Sequence, residues 1–168
     1  MPLAAVLLGT ACGGESDTAA VAEKAAASAE SAVAEATTPA FPTAPLIDPN
    51  TASEEVLAGI EGLPEAAVAA VLTTRPFATP GEMHAAIGEL LTDEQQKQVY
   101  ARMFVKVGLH SGADEDYRLI PSSMPAGKLA HEFEEYRPYE SIAQFRREMS
   151  KYVSEEEVAY LARFVTLD

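Results

Sequence analysis

Arg75-Pro76-Phe77 and Arg137-Pro138-Tyr139 stand 62 residues apart, and the same offset superimposes many residues downstream of the first on their counterparts downstream of the second. Thr79 maps to Ser141, Met83 to Phe145, Ile87 to Met149, Leu91 to Val153, Thr92 to Ser154 and Glu94 to Glu156. With a slip of one or two residues, Ala101-Arg102 and Phe104-Val105 map to Ala162-Arg163 and Phe164-Val165. A repeat of this length means two copies of one supersecondary unit, which limits the architectures open to the chain. Of the 168 residues, the first 45 are poor in large apolar side chains. About 120 remain to build a core, enough for one domain or two small ones, and the repeat favours two.

Local signals make both units helical. Thr51 with Glu54 reads as a capping box opening a helix with Val56, Leu57 and Ile60 on its apolar face. Pro64 sits in the first turn of a second helix that carries Val68, Val71 and Leu72 inward. Arg75-Pro76 stops that helix, because the residue before a proline is pushed out of helical geometry. Thr79 with Glu82, and Thr92 with Gln95, start two more, with Met83, Ile87 and Leu90, then Val99, Met103 and Phe104, as their apolar positions. The second unit repeats the plan. Tyr117, Leu119 and Ile120 belong to a short first helix, and Pro121-Ser122-Ser123-Met124-Pro125 forms a longer turn than its counterpart. Leu129, Phe133 and Tyr136 line the next helix, and Ser141 with Gln144 and Ser154 with Glu157 cap the last two. The expected fold is all-α, about eight short helices, with units over residues 46–107 and 114–168 and a linker over 108–113.

Short helices paired through tight turns, led by Asn50-Thr51-Ala52 and joined by Arg75-Pro76-Phe77, with a Phe104-Val105-Lys106-Val107 tail, resemble the ComEA-type helix-hairpin-helix domain. The likeness is close over 46–107 and looser over 114–168. It implies two tandem helix-hairpin-helix units, and a family function of holding DNA phosphates on hairpin amides without reading sequence. Such a site is physically sound, because the unpaired N–H groups and the helix dipole attract an anion. The resemblance nominates Gly62, Leu63 and Glu65 in the first unit, and Gly127 with Lys128 in the second. Here the first hairpin reads Ile60-Glu61-Gly62-Leu63-Pro64-Glu65, with proline in place of the second glycine and two carboxylates alongside. Proline has no N–H to donate.

Charge bears on the same question. Twenty-six acids against twelve bases leave a net −14, and no segment is basic. Nucleic-acid affinity rests largely on counterions released by Lys and Arg, so this balance opposes a tight DNA or RNA complex. The most basic stretch is Arg146, Arg147 and Lys151. It reads either as a phosphate-contacting patch or, with Glu148, Glu155, Glu156 and Glu157 beside it, as a solvated self-neutralising face.

The only cysteine is Cys12. Leu3-Ala4-Ala5-Val6-Leu7-Leu8 followed by Leu8-Gly9-Thr10-Ala11-Cys12 resembles the signal and lipobox of bacterial lipoproteins, in a form shorter than usual and with no basic residue before it. The resemblance makes Cys12 the lipidation site of residues 1–12. Residues 13–45, built from Ala, Glu, Ser, Thr and Pro, read as a disordered tether. The expected location is the bacterial envelope, lipid-anchored, or otherwise secreted or periplasmic.

Catalytic constellations are missing from the sequence. No Gly-x-Ser-x-Gly elbow, phosphate loop or Cys-His pair occurs. His131 and Glu135 have helical metal-ligand spacing but lack a second histidine on that helix, so no metal and no cofactor is expected. Ser122 and Ser123 read as turn residues, and Arg75 and Arg137 as helix caps or partners of a local acid. The reading is a non-catalytic binding module whose partner is a protein, docked on the helical surface or into the groove between the units. Sequence-independent DNA binding is the alternative, and a purely structural spacer a third.

Overall fold

The structure, a computed structural model, describes residues 41–168. Among them the fold is all-α, with eight α-helices: α1 Glu54–Ala58, α2 Glu65–Thr74, α3 Pro80–Ile87, α4 Asp93–Tyr100, α5 Asp114–Arg118, α6 Ala126–Glu135, α7 Ile142–Met149 and α8 Glu155–Leu161. A 3-10 turn, Gly88–Leu90, follows α3, and two short strands, β1 Val107–Gly108 and β2 Val165–Thr166, pair in parallel.

Four helix starts follow directly from their N-cap side chains. Thr79, Thr92, Ser141 and Ser154 each accept a hydrogen bond from the amide three residues on, which satisfies a donor the helix cannot. Gln95 completes the box by accepting from the Thr92 amide at 2.9 Å. Glu82 and Gln144 instead reach one residue further back, to the Ala78 and Glu140 amides at 2.6 and 2.7 Å. The start of α1 departs from the sequence reading. Asp48 gathers the amide of Asn50 and the hydroxyl of Thr51 into a turn, and Ser53, not Thr51, caps the helix. Leu57 and Ile60 are buried as expected, whereas Val56 is 46% exposed. Leu90 is likewise 44% exposed, because the 3-10 turn swings it outward and brings Leu91 in. Pro64 serves as the N-cap of α2 rather than its first residue.

Each half is closed by its repeated arginine. Arg75 Nη1 donates to the Ala52 carbonyl at 2.7 Å, and Arg137 donates to the Leu109 and Gly112 carbonyls at 2.8 and 2.5 Å. Arg75 also caps α2, its amide donating to the Val71 carbonyl at 3.1 Å, whereas Arg137 lies one residue beyond the cap of α6 and 3.6 Å from Glu134. Both Arg-Pro peptide bonds are cis. One turn further along, the Asn50 side chain brackets Phe77, accepting from its amide at 2.7 Å and donating to its carbonyl at 2.9 Å. In the second half, His110 Nε2 lies 3.0 and 2.8 Å from the same two groups of Tyr139. Residues 107–113 therefore do for the second half what 47–53 do for the first. The pairing agrees: Ile47 bridges to Met103, and Val107 pairs with Val165.

The halves meet along an aromatic seam formed by repeat-related residues. The Phe104 and Phe164 rings stand edge to face at 5.2 Å, flanked by Tyr100 against Phe104 at 6.1 Å and Tyr160 against Phe164 at 4.9 Å. The buried side chains of both halves form one continuous cluster. Asp116 of α5, only 5% exposed, accepts from the Gly81 amide of α3 at 2.8 Å and so ties the halves at a helix start. A Cβ at position 81 would lie 3.0 Å from that oxygen, which accounts for glycine there.

Burial raises the pKa of the Tyr100 hydroxyl to about 12, and pushes Tyr117, Tyr139 and Tyr160 upward too. Phenols held neutral in the fold contribute stability that is complete below the unfolded value of about 10 and lost as pH rises through the folded one. Tyrosinate absorbance at alkaline pH should therefore lag behind free tyrosine and then rise together with loss of helical circular dichroism. Asp116→Ala should cost about 1–3 kcal/mol in urea unfolding by leaving the Gly81 amide unpaired. Asp116→Asn, which retains the acceptor, should cost less.

Candidate binding site

The first nominated hairpin is built for a turn. Gly62 adopts φ +82, the left-handed region that glycine enters freely, and Leu63 is buried beneath it. The Leu63 amide donates to the Ile60 carbonyl at 3.1 Å, and Pro64 has no amide proton, so two consecutive positions after the glycine offer nothing to a phosphate. Glu65 stands exposed as the first residue of α2, with exposed Glu61 on the other side of the turn. Two carboxylates there oppose an anion.

The second hairpin has found an internal anion. Glu157, 3% exposed, accepts from the Ser122 hydroxyl at 2.7 Å, the Ser123 amide at 2.7 Å and the Ser123 hydroxyl at 2.6 Å. A buried carboxylate needs such donors, and these commit the turn to the body of the protein. At the matching position of the first half, Gln95 closes its own helix instead. Gly127 and Lys128 lie within α6 and not in the turn. Gly127 faces Arg118, whose Nη1 would be 3.0 Å from a Cβ there, and the Lys128 amide donates to the Pro125 carbonyl.

The basic patch is largely neutralised. Glu148 takes Lys151 Nζ at 2.5 Å and Arg147 Nε at 3.3 Å, and the bond to Lys151 holds its carboxyl below the usual range while raising the ammonium. Arg146 is exposed beside them. The structure does bring Lys128 and Lys151 onto one feature. Each lies over a tyrosine ring, Lys128 at 5.4 Å from Tyr152 and Lys151 at 4.8 Å from Tyr136, and the two tyrosine hydroxyls are 2.7 Å apart. One oxygen of Glu132, on the same face of α6, is buried without a hydrogen-bond partner. Cys12 and residues 13–40 lie outside the described residues.

A groove between the halves, expected as one docking place for a protein, lies beside the aromatic seam, and the residues that line it were not singled out as such from the sequence. Phe41, Tyr100, Ile120, Pro121, Met124 and Tyr160 are among the residues lining a concavity of about 780 Å³, with Lys97 and Arg118 at its edge. A second concavity of about 850 Å³ adjoins it, holding exposed Val56 with Glu61, Lys97 and Arg102. Both are bounded by Pro42, Lys97 and Ala101. Volumes of this size suit a ligand side chain or a short peptide segment. Arg102 and Arg163 face this region from the two halves, close enough for Arg102 to help lower the Arg163 pKa, after burial. Their signal was present in the repeat, which keeps arginine at both positions.

Among the described residues no cluster of three or more His, Cys, Asp and Glu side chains could hold a metal, and no helix is long and apolar enough to cross a membrane. No family model, curated protein or solved structure matches the chain.

Glu157→Ala should destabilise the protein by about 2–3 kcal/mol in urea unfolding, since it strands three donors at once. Glu157→Gln, which imitates the first half, should restore part of the loss.

Proposed function

We propose that the chain is a non-catalytic binding module of the helix-hairpin-helix type, held at the bacterial envelope through a lipidated Cys12, and that it binds a protein in the groove between its halves. The observation carrying this reading is the concavity at the seam, with Tyr100, Tyr160 and Ile120 of the core at its floor and half-buried Leu119 and Met124 beside them. Aromatic and methionine side chains at the centre of a polar-rimmed patch are the usual composition of a protein contact. The net charge of −14 favours a partner of basic character and slows encounter with a polyanion. The hairpins support the same choice, because one offers a proline and two acids and the other spends its donors on Glu157.

DNA binding is the second reading. It follows from the family resemblance and is favoured by one feature, the pair of lysines over the Tyr136–Tyr152 pair. Phosphate contacts by Lys128 and Lys151 and stacking on the tyrosines would give sequence-independent retention.

Fluorescence-anisotropy titration of the chain with short duplex DNA, at about 50 and 200 mM salt, separates the two. The protein-binding reading predicts no complex at the lower salt. Micromolar binding that weakens steeply with salt, and is abolished by Lys128→Glu, Arg147→Glu and Lys151→Glu together, would put DNA first.

A further inference from the structure

Part of the groove is already filled by the chain itself. The Phe41 ring lies 4.9 Å from Tyr160 at a 31° tilt, and Arg163 reaches over with Nη1 donating to the Pro42 carbonyl and Nη2 to the Ala44 carbonyl. These carbonyls are two residues apart, on either side of Thr43 where the chain bends at Ala44, and one planar guanidinium holds both. Prolines 42 and 45 remove amide donors from this segment, and arginine, which offers donors only, is the matching receptor. The guanidinium also stacks 5.6 Å over Tyr160. Arg163 has no carboxylate within ion-pair distance among the described residues, and the only side-chain hydrogen bonds it makes there are to these carbonyls.

The segment is held lightly. Pro42, Thr43 and Pro45 are exposed, Phe41 is half-buried, and backbone pairing with the body begins only at Ile47. It lies where the two concavities meet, since Pro42 borders both. Its removal would join them along the seam.

We propose that Tyr160 and Arg163 form a receptor for a segment with an aromatic residue followed by proline, and that Phe41–Ala44 occupies it as a built-in competitor which a partner segment of the same chemistry displaces. This rests on the reading of the groove as a protein-binding surface and names the partner's recognition element. A tethered occupant competes at millimolar effective concentration, and an occupant bound 99% of the time weakens an external ligand about a hundredfold.

The test uses the full chain and a fluorescein-labelled synthetic peptide, Pro-Ala-Phe-Pro-Thr-Ala-Pro, the sequence of residues 39–45, followed by anisotropy. Phe41→Ala with Pro42→Gly, which loosens the internal occupant, should bind the peptide at least tenfold more tightly than the unaltered chain. Adding Arg163→Ala should abolish that binding. Should that variant fail to keep its helical circular dichroism, Arg163→Lys takes its place; it keeps the charge but not the fork, and should bind at least tenfold more weakly. An opened variant that binds no better than the unaltered chain, or binding indifferent to residue 163, overturns the proposal. Because the peptide probes only this receptor, its failure would leave partner docking elsewhere in the groove standing.

Discussion

Two phenylalanines occupying the same place in two copies of one unit, Phe104 and Phe164, meet edge to face at the centre of the molecule, and the rest is arranged around that contact. A helical unit of about 60 residues buries too little surface to be comfortably stable alone. Its last helix ends in an aromatic face, Tyr100 with Phe104 or Tyr160 with Phe164, that must be covered. The two copies of that face cover each other, edge of one ring against face of the other. Asp116 on Gly81 adds a buried polar tie between the halves.

A seam of this kind leaves concavities on its flanks, since two convex helical bodies cannot close against each other everywhere. The functional reading depends on that geometry more than on the hairpins. In the first hairpin Pro64 lacks its amide proton, and in the second turn Glu157 takes the donors of Ser122 and Ser123 with a carboxylate from the same chain. Beside the seam, by contrast, half-buried Leu119 and Met124 and the exposed apolar surface of Val56 border the concavities.

Much of the fold was legible because it is dictated locally. The four caps at Thr79, Thr92, Ser141 and Ser154 lie where a short polar side chain precedes a helical pattern, and Met83, Ile87, Phe145 and Met149 are fully buried as their spacing requires. What escaped depends on partners far away in the chain. Residues 108–113 read as a linker because nothing nearby marks them, yet Arg137 reaches back 25 residues or more to hold them. Glu157 has the spacing of a capping box, and only the presence of Ser122 and Ser123 some 35 residues earlier draws it elsewhere. Phe41 sits in a stretch whose composition says tether, and its docking depends on Tyr160 and Arg163 about 120 residues on. Val56 and Leu90 were misplaced for a smaller reason, because a shifted cap and a 3-10 turn each rotate one residue outward.

The most direct measurement is site-specific photo-crosslinking in the cells that make the protein, with a photoreactive phenylalanine analogue introduced singly at Leu119 or Met124 in the groove, and at Ala143 on the exposed face of α7 as a control. The account predicts one protein adduct of the same mass from both groove positions and none from Ala143. Adducts formed equally from all three positions, or nucleic acid recovered in place of protein, would contradict it.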